Sequence, residues 1–208
     1  MTNQDLKSTN KEILLEGAKH CADNAKRHYS SAQKIADIGN YGIAKSHLIL
    51  SVEESIKCMV IVAGYFNIEL QMDIRPIFRD HKAKHLQAFE IQSFIDFIYS
   101  IKLPIKQAIK TKKLNLKLSL MLATGLVLDS VLNRLFSKNK KEETKAWWTK
   151  ANQQKNDGFY VDFKNNEWII PESISEDDFL QSLNIAEPFI ECVEIVHELK
   201  DTDHLLLS

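Results

Sequence analysis

The chain has 208 residues, a formal net charge of −1 and 44% hydrophobic residues, as is usual for a globular domain. Only 6 Gly and 4 Pro occur in this length, which argues against an all-β fold with its many turns. The polar N-terminus lacks the apolar core of a signal peptide, so we expect a cytoplasmic protein. We interpret residues 1–208 as one domain that begins with a short flexible N-terminus, residues 1–10.

The three cysteines, Cys21, Cys58 and Cys192, are far apart and form no C-x-x-C pair. This spacing indicates neither a zinc site nor a disulfide framework. Cys21 and Cys58 fall in apolar helical stretches, where free core thiols are expected. The sequence therefore predicts no metal and no other cofactor.

Helical periodicity begins after Asn10, which is a good N-cap residue. Apolar residues recur at helical spacing over 11–38, and Gly39-Asn40 then provides a stop-and-turn signal. The short link makes the next helix, 41–63, the antiparallel neighbour of the first, and Gly64 is predicted to end it.

Further helices are predicted over 79–102 and 116–136, while the charged stretch 137–145 reads as a solvated segment. Residues 159–170 alternate aromatic and polar residues around Asn165-Asn166, which predicts a β-hairpin. Ser175 with Asp178 forms a capping box for a final helix that ends near Lys200. The predicted fold class is all-α, an up-and-down helical bundle with a small hairpin insertion near residues 158–170.

Charged residues lie in the middle of the second helix, which is apolar on all sides. At heptad spacing, one stripe of that helix carries Ile43, His47, Leu50, Glu54, Lys57 and Ile61. Burying a lone carboxylate costs several kcal/mol, so these charges form either an internal ion pair or an acid–base site. Glu54 and Lys57 can pair at i,i+3, whereas Glu53 points about 100° away and is expected to be structural.

A second cluster of functional groups follows in the segment Arg75–His85, RPIFRDHKAKH. Histidine transfers protons near neutral pH, and arginine or lysine can hold a phosphate and stabilise its charge. Together these groups suit RNA cleavage through the substrate's own 2′-hydroxyl, without a metal. Histidines four apart can also bind zinc, but the neighbouring charges are cationic and no thiolate is near; a solvated basic helix start is the plain structural alternative.

Charge is unevenly distributed along the chain. Residues 79–117 contain nine Lys or Arg and three Asp or Glu, whereas residues 167–203 contain eleven acidic residues and one Lys. This asymmetry indicates a basic working surface, although solvated helix faces give the same pattern. Residues that could track a phosphate backbone are Lys82, Lys102, Lys106, Lys110, Lys112 and Lys113.

Three segments, taken in order, carry a resemblance to a known family: HLILSVEESIK, FRDHKAKH and GFYVDFKNNEWIIPESIS. Over roughly residues 11–200 the chain resembles the AbiV-type abortive infection proteins, bacterial anti-phage proteins of the HEPN superfamily. The resemblance implies a HEPN-like helical bundle that forms homodimers. It also implies a metal-independent endoribonuclease with an R-x4–6-H motif that is completed across the dimer.

Carried onto this sequence, the resemblance matches Arg79 to His85, and also Arg75 to His81, with the R-x4–6-H motif. Glu54 and Lys57 match the family's buried helix motif, and His81 and Lys84 match its H-x-x-K. We therefore expect Arg79 to bind the scissile phosphate, His81 or His85 to act as base or acid, and Lys84 to stabilise negative charge. Glu54 would orient these groups, with Lys57 and His47 in support.

The partners implied are a second copy of the chain, RNA and a phage-encoded trigger protein, and no membrane. The main rival hypothesis is a non-catalytic defence module that binds a phage or host protein, or RNA. A third is an antitoxin-like helical protein that binds a nucleotide.

Overall fold

The structure is a computed structural model, and it describes residues 1–65, 74–79 and 138–200. The helices of these residues are α1 Asn3–Ser8, α2 Lys11–Ala36, α3 Tyr41–Tyr65, α4 Arg75–Arg79, α5 Lys138–Phe159 and α6 Glu176–Lys200. A short 3₁₀ helix, Pro171–Ser173, precedes α6. The described residues are all-α apart from one small hairpin, as the sequence predicted.

Helix α3 lies at the centre of the described bundle, and α2, α5 and α6 pack around it. Most of its side chains are buried, including Leu48, Ile49, Val52 and Ile56. A helix that is apolar around its whole circumference needs neighbours on several sides. The central position of α3 thus follows directly from its composition.

Serine hydroxyls of α3 fix its neighbours by donating hydrogen bonds to their backbone carbonyls. The Ser51 Oγ atom donates to the carbonyl oxygen of Ala25 in α2 at 2.8 Å. On the opposite side, Ser46 Oγ donates to the carbonyl oxygen of Lys155 in α5, also at 2.8 Å. These bonds tie α3 to two helices that are distant from each other in the sequence.

The predicted boundaries of the first two long helices agree with the structure to within two residues. Asn10 caps α2 by accepting a hydrogen bond from the Glu12 backbone amide at 2.8 Å, and Gly39 has a φ of +78° in the turn that follows. Helix α3 continues through Gly64 to Tyr65 rather than ending at Gly64. Because Gly64 has no side chain, Leu6 of α1 can approach α3 closely at this point.

Residues 1–10, predicted as a short flexible N-terminus, include the short helix α1 over residues 3–8. Thr2 and Asp5 form a capping box at its start, and Leu6 is buried against α3. In the sequence, residues 3–8 are polar apart from one apolar residue, Leu6, so no apolar stripe indicates a helix. The cap and the burial of Leu6 therefore contribute to the stability of this helix.

Helix α5 begins well before the point predicted for it. The charged stretch 137–145 was predicted to be a solvated segment, but α5 starts at Lys138. The stretch lacks an apolar stripe, and the buried residues Trp147, Trp148 and Ala151 follow it. These residues pack against the bundle and stabilise α5. The charged turns before them form the beginning of the same helix.

The predicted hairpin is confirmed. Strand β1, Asp162–Lys164, pairs in antiparallel register with β2, Glu167–Ile169, so that Phe163 faces Trp168. The turn residues Asn165 and Asn166 have φ values of 53° and 66°, the combination of a type I′ hairpin turn. The capping box before α6 is confirmed as well, since the Asp178 amide donates to Ser175 Oγ at 3.2 Å.

Several predicted elements lie outside the described residues. These are the helices over 79–102, apart from Arg79 itself, and over 116–136, together with the lysine run between them. Across residues 1–65, 74–79 and 138–200, no helix has the length and apolar character needed to cross a membrane.

Candidate functional site

One narrow line along α3 is only half buried, while the rest of the helix between its terminal residues, Tyr41 and Tyr65, is enclosed. It consists of Ile43, His47, Leu50, Glu54 and Lys57, and we call it the α3 line. The stripe predicted from heptad spacing is the same set extended by Ile61, which is buried. Two of the four charged residues of α3, Glu54 and Lys57, therefore lie where the bundle is partly open to solvent, whereas Lys45 and Glu53 are buried.

Glu54 and Lys57 form the ion pair that their spacing predicted, with 2.5 Å between Oε1 and Nζ. Their side chains are 17% and 20% exposed, so water still reaches both. Cys21 of α2 lies beside them. Burial raises the pKa of Cys21 to about 11 and the negative charge of Glu54 acts in the same direction, so this thiol stays protonated and is not a nucleophile.

His47 of the α3 line meets His28 of α2. Their Nδ1 atoms are 3.1 Å apart, which is a hydrogen-bond distance. The ring of Phe159, at the end of α5, packs edge-on against His47 with 5.5 Å between the ring centroids. Three helices thus hold the histidine pair in place.

Close packing of two glycines positions Phe159 for this contact. A Cβ atom added at Gly158 would lie 2.2 Å from the carbonyl oxygen of Gly42 and 2.2 Å from Ser46 Oγ. Helix α5 can cross α3 this closely only because Gly158 has no side chain. The next residue, Phe159, is therefore brought against His47.

Glu53 lies in a different environment from its neighbour Glu54. Its Oε1 atom is 2.6 Å from Nζ of Lys155 in α5, and the two side chains are only 2% and 8% exposed. The pair joins residues 102 positions apart. This contact fits the structural role expected for Glu53, and it leaves Glu54 as the carboxylate on the open line.

Burial makes protonation of both histidines less favourable. It lowers the pKa of His47 and is also the main cause that lowers the pKa of His28. The adjoining His47 and Arg27 lower the pKa of His28 further, while Glu54 and Glu53 act against them. Each ring is therefore favoured as the neutral imidazole.

We expect the free energy of unfolding to decrease as the pH falls from 7 to 5. Both rings have folded-state pKa values below the ordinary 6.5, so the unfolded chain binds more protons in this range and acid favours it. The contribution of the two neutral histidines to the free energy of unfolding is fully present well above pH 6.5. It is lost as the pH falls through their folded-state pKa values, which lie below 6.5. Urea unfolding at several pH values measures the slope.

The matched control for this slope is His20→Asn, which removes a histidine whose side chain is 74% exposed. The double variant His28→Asn/His47→Asn should flatten the pH dependence, and His20→Asn should leave it as in the unchanged chain. An unchanged slope in the double variant would assign the effect to other groups.

The second predicted cluster can be located only in part. Arg79 is the last residue of α4, a helix that packs on α3. Ile77 of α4 and Ile74, which precedes the helix, are fully buried. The remaining catalytic predictions, His81, Lys84 and His85, lie outside the described residues. So do the predicted RNA-binding residues Lys82, Lys102, Lys106, Lys110, Lys112 and Lys113, and all of these stay predictions.

Within residues 1–65, 74–79 and 138–200, no three His, Cys, Asp or Glu side chains are placed to hold one ion.

Two residues of this site were not predicted from the sequence. His28 falls at the same helical spacing as the core residues of α2. Nothing in the sequence therefore distinguished it as a site residue. Lys155 lies in a stretch without any recognisable motif. The carboxylate of Glu53 lies in an apolar helix and therefore needs a cation. This was the one indication in the sequence that a lysine or arginine from a distant segment lies beside it.

The comparison with protein families found a match to the model for HEPN proteins of the AbiV type, over residues 13–191. A search of curated proteins and a search of solved structures found no significant match.

Proposed function

The chain belongs to the AbiV family of abortive-infection proteins in the HEPN superfamily, and from this premise we propose that it is a metal-independent endoribonuclease. In such a reaction the 2′-hydroxyl of RNA attacks the adjacent phosphate. A base removes the proton of that hydroxyl, an acid protonates the leaving 5′-oxygen, and cations stabilise the phosphate charge. The products are a 2′,3′-cyclic phosphate and a 5′-hydroxyl.

One observation carries this proposal: three ionisable groups lie along the α3 line, which is half open within a largely enclosed helix. Glu54, Lys57 and His47 lie on that line, and His28 contacts it from α2. Buried charges that serve only stability are normally enclosed, as Glu53 and Lys155 are. Partly accessible ones beside neutral histidines are typical of reactive sites.

The predicted motif supplies the remaining roles of the proposal. Arg79 binds the scissile phosphate, His81 or His85 acts as acid or base, and Lys84 stabilises the developing charge. Glu54 orients the cationic groups, and the lysines from Lys82 to Lys113 guide the RNA. A second copy of the chain completes the site, and a phage-encoded protein triggers it.

We expect the purified protein to cleave RNA in the presence of a metal chelator, leaving 2′,3′-cyclic phosphate ends. Arg79→Ala, His81→Ala and His85→Ala test the motif. Loss of a phosphate ligand or of a proton-transfer group should lower the rate by about 100-fold or more. The assignment requires this loss for Arg79→Ala and for at least one histidine variant.

The control variant is His20→Ala, because His20 is exposed on α2 and has no part in the site. It should cleave RNA at the unchanged rate. Full cleavage and full toxicity in all three motif variants would contradict the assignment.

A second candidate function is protein binding without catalysis, and the hairpin favours it. Large apolar side chains there are exposed, including Trp168 at 69%, Tyr160 at 65% and Phe163 at 53%. Exposed apolar patches of this kind mark sites of protein–protein interaction. Total RNA from cells that express the protein separates the two functions, since intact RNA favours the binder and discrete new fragments favour the enzyme.

A further inference from the structure

We propose that His28 and His47 form a proton relay that acts as the general base for the 2′-hydroxyl of RNA. The inference rests on the proposed ribonuclease function and deepens it, because it assigns the base to two residues outside the R-x4–6-H motif. It starts from one contact, the 3.1 Å approach of the two Nδ1 atoms.

A hydrogen bond between the two Nδ1 atoms requires complementary tautomers in the two neutral rings. A neutral imidazole carries one N–H and one free lone pair, so one Nδ1 atom must donate and the other must accept. The donating ring then has a free lone pair on Nε2, and the accepting ring has its proton on Nε2. The pair therefore presents one basic nitrogen and one N–H group at its two outer ends.

The outer nitrogens are not used by the rest of the described structure. Neither Nε2 atom takes part in a hydrogen bond with another residue of 1–65, 74–79 or 138–200. Both rings are half buried, and Phe159 supports the ring of His47 from α5. The pair is thus held by packing and by its inner hydrogen bond, and no residue of the described part of the chain bonds to its outer ends.

In the proposed step, the 2′-hydroxyl gives its proton to the basic Nε2 atom of the first ring. The Nδ1 proton of that ring moves across the contact to Nδ1 of the second ring, which releases its Nε2 proton to water. The electron pair of the broken O–H bond forms the new bond from the 2′-oxygen to phosphorus. The 5′-oxygen leaves with the electron pair of its bond to phosphorus and takes a proton from the general acid of the proposed function.

The relay keeps both rings neutral before and after the transfer, with the two tautomers exchanged, and the return of a proton through the same contact resets them. Among the described residues, the charged groups that act on the pair are Arg27 from α2 and Glu53 and Glu54 from α3. Burial disfavours a doubly protonated ring here, as the lowered pKa values of both histidines indicate. A relay meets that constraint, whereas a single histidine base would have to hold the charge.

The first test measures the tautomers in the full chain by NMR of isotope-labelled histidine rings at neutral pH. We expect one of the two rings to carry its proton on Nδ1 and the other on Nε2. His28→Asn and His47→Asn assign the signals, and each should change the signal of the other ring. Two rings with the same tautomer, or either ring doubly protonated, would overturn the relay without any reference to RNA.

The second test follows RNA cleavage by His28→Ala and His47→Ala across a range of pH. Each variant should lose about 100-fold in kcat, with KM and folding retained, and added imidazole should restore part of the rate to the variant that lacks the substrate-side ring. A residue that only packs would not give imidazole rescue. His20→Ala is again the control.

The outcomes separate this inference from the function beneath it. If the unchanged chain cleaves RNA and both alanine variants keep kcat within about twofold, the relay is wrong and the ribonuclease stands. If the unchanged chain does not cleave RNA, the proposed function is wrong and the relay falls with it.

Discussion

Lys155→Met is expected to lower the free energy of unfolding by about 3–5 kcal/mol, the usual cost of removing one partner of a buried ion pair. The substitution leaves the carboxylate of Glu53, which is 2% exposed, without the ammonium group 2.6 Å away. Methionine has a similar length and no charge, so lost volume contributes little. Urea unfolding monitored by circular dichroism measures the change.

Lys150→Met is the matched control, since Lys150 is exposed on the same helix. It should alter stability by less than about 0.5 kcal/mol. In the double variant Glu53→Gln/Lys155→Met no charge remains uncompensated, so its loss should be smaller than the sum of the two single losses. A loss below about 1 kcal/mol for Lys155→Met would mean that water reaches this pair.

The same pair sharpens the contrast between the adjacent glutamates. Glu53→Gln should act mainly on stability, because Glu53 bonds to a buried lysine. Glu54→Gln should leave the fold nearly unchanged and lower RNA cleavage, because Glu54 lies on the open α3 line. The two substitutions are chemically identical and one position apart, so each serves as the control for the other.

Gly158→Ala is expected to destabilise the fold by about 1–3 kcal/mol or more, the range for overpacking a tight contact. The added methyl group would lie 2.2 Å from the carbonyl oxygen of Gly42 and from Ser46 Oγ, and backbone cannot give way locally. Helices α3 and α5 would have to separate. That shift would also weaken the contact between Phe159 and His47, so the pH dependence of unfolding should change as well.

Gly17→Ala provides a control of opposite sign. Gly17 lies within α2, and a Cβ atom there would be 3.8 Å from its nearest neighbour, Ile61 Cδ1, an ordinary contact. Replacing glycine by alanine within a helix stabilises it by about 0.5–1 kcal/mol. If both alanine variants were stabilising, the crossing of α3 and α5 would be looser than the structure shows.

Local signals in the sequence were sufficient for the parts of the fold that are determined locally. Asn10 at the start of α2, the Asn165-Asn166 turn and the Ser175 cap each act over three or four residues, and each was predicted correctly. The pairing of Glu54 with Lys57 is also local, because one helical turn brings them together. Heptad spacing further identified the α3 line, with Ile61 as the one residue that is enclosed.

The remaining features depend on contacts between distant segments, and one sequence contains no direct record of those. Lys155 is 102 positions from Glu53, and Gly158 meets Gly42 at a similar separation. The early start of α5 has the same origin, since its charged first turns have no apolar stripe of their own. The contact between His28 and His47 likewise depends on how α2 packs against α3.

Of the candidate site, the sequence identified Glu54, Lys57 and His47, and the structure adds His28 as the direct contact of His47. The motif from Arg79 to His85 came from chemistry and from a family resemblance. Its histidines lie outside the described residues, so its place relative to the α3 line stays a prediction. Only the end of α4, at Arg79, marks where that segment begins.

The buried ion pair also has a consequence for how the chain is made. Synthesis runs from the N-terminus at about 5–20 residues per second, so Lys155 follows Glu53 onto the nascent chain by roughly 5–20 s. During that interval α3 has neither α5 nor α6 beside it, and its apolar sides face water or a chaperone. Phe159 is equally late in reaching His47. An unfinished chain therefore lacks the enclosure that shapes the α3 line, and only a completed one has it.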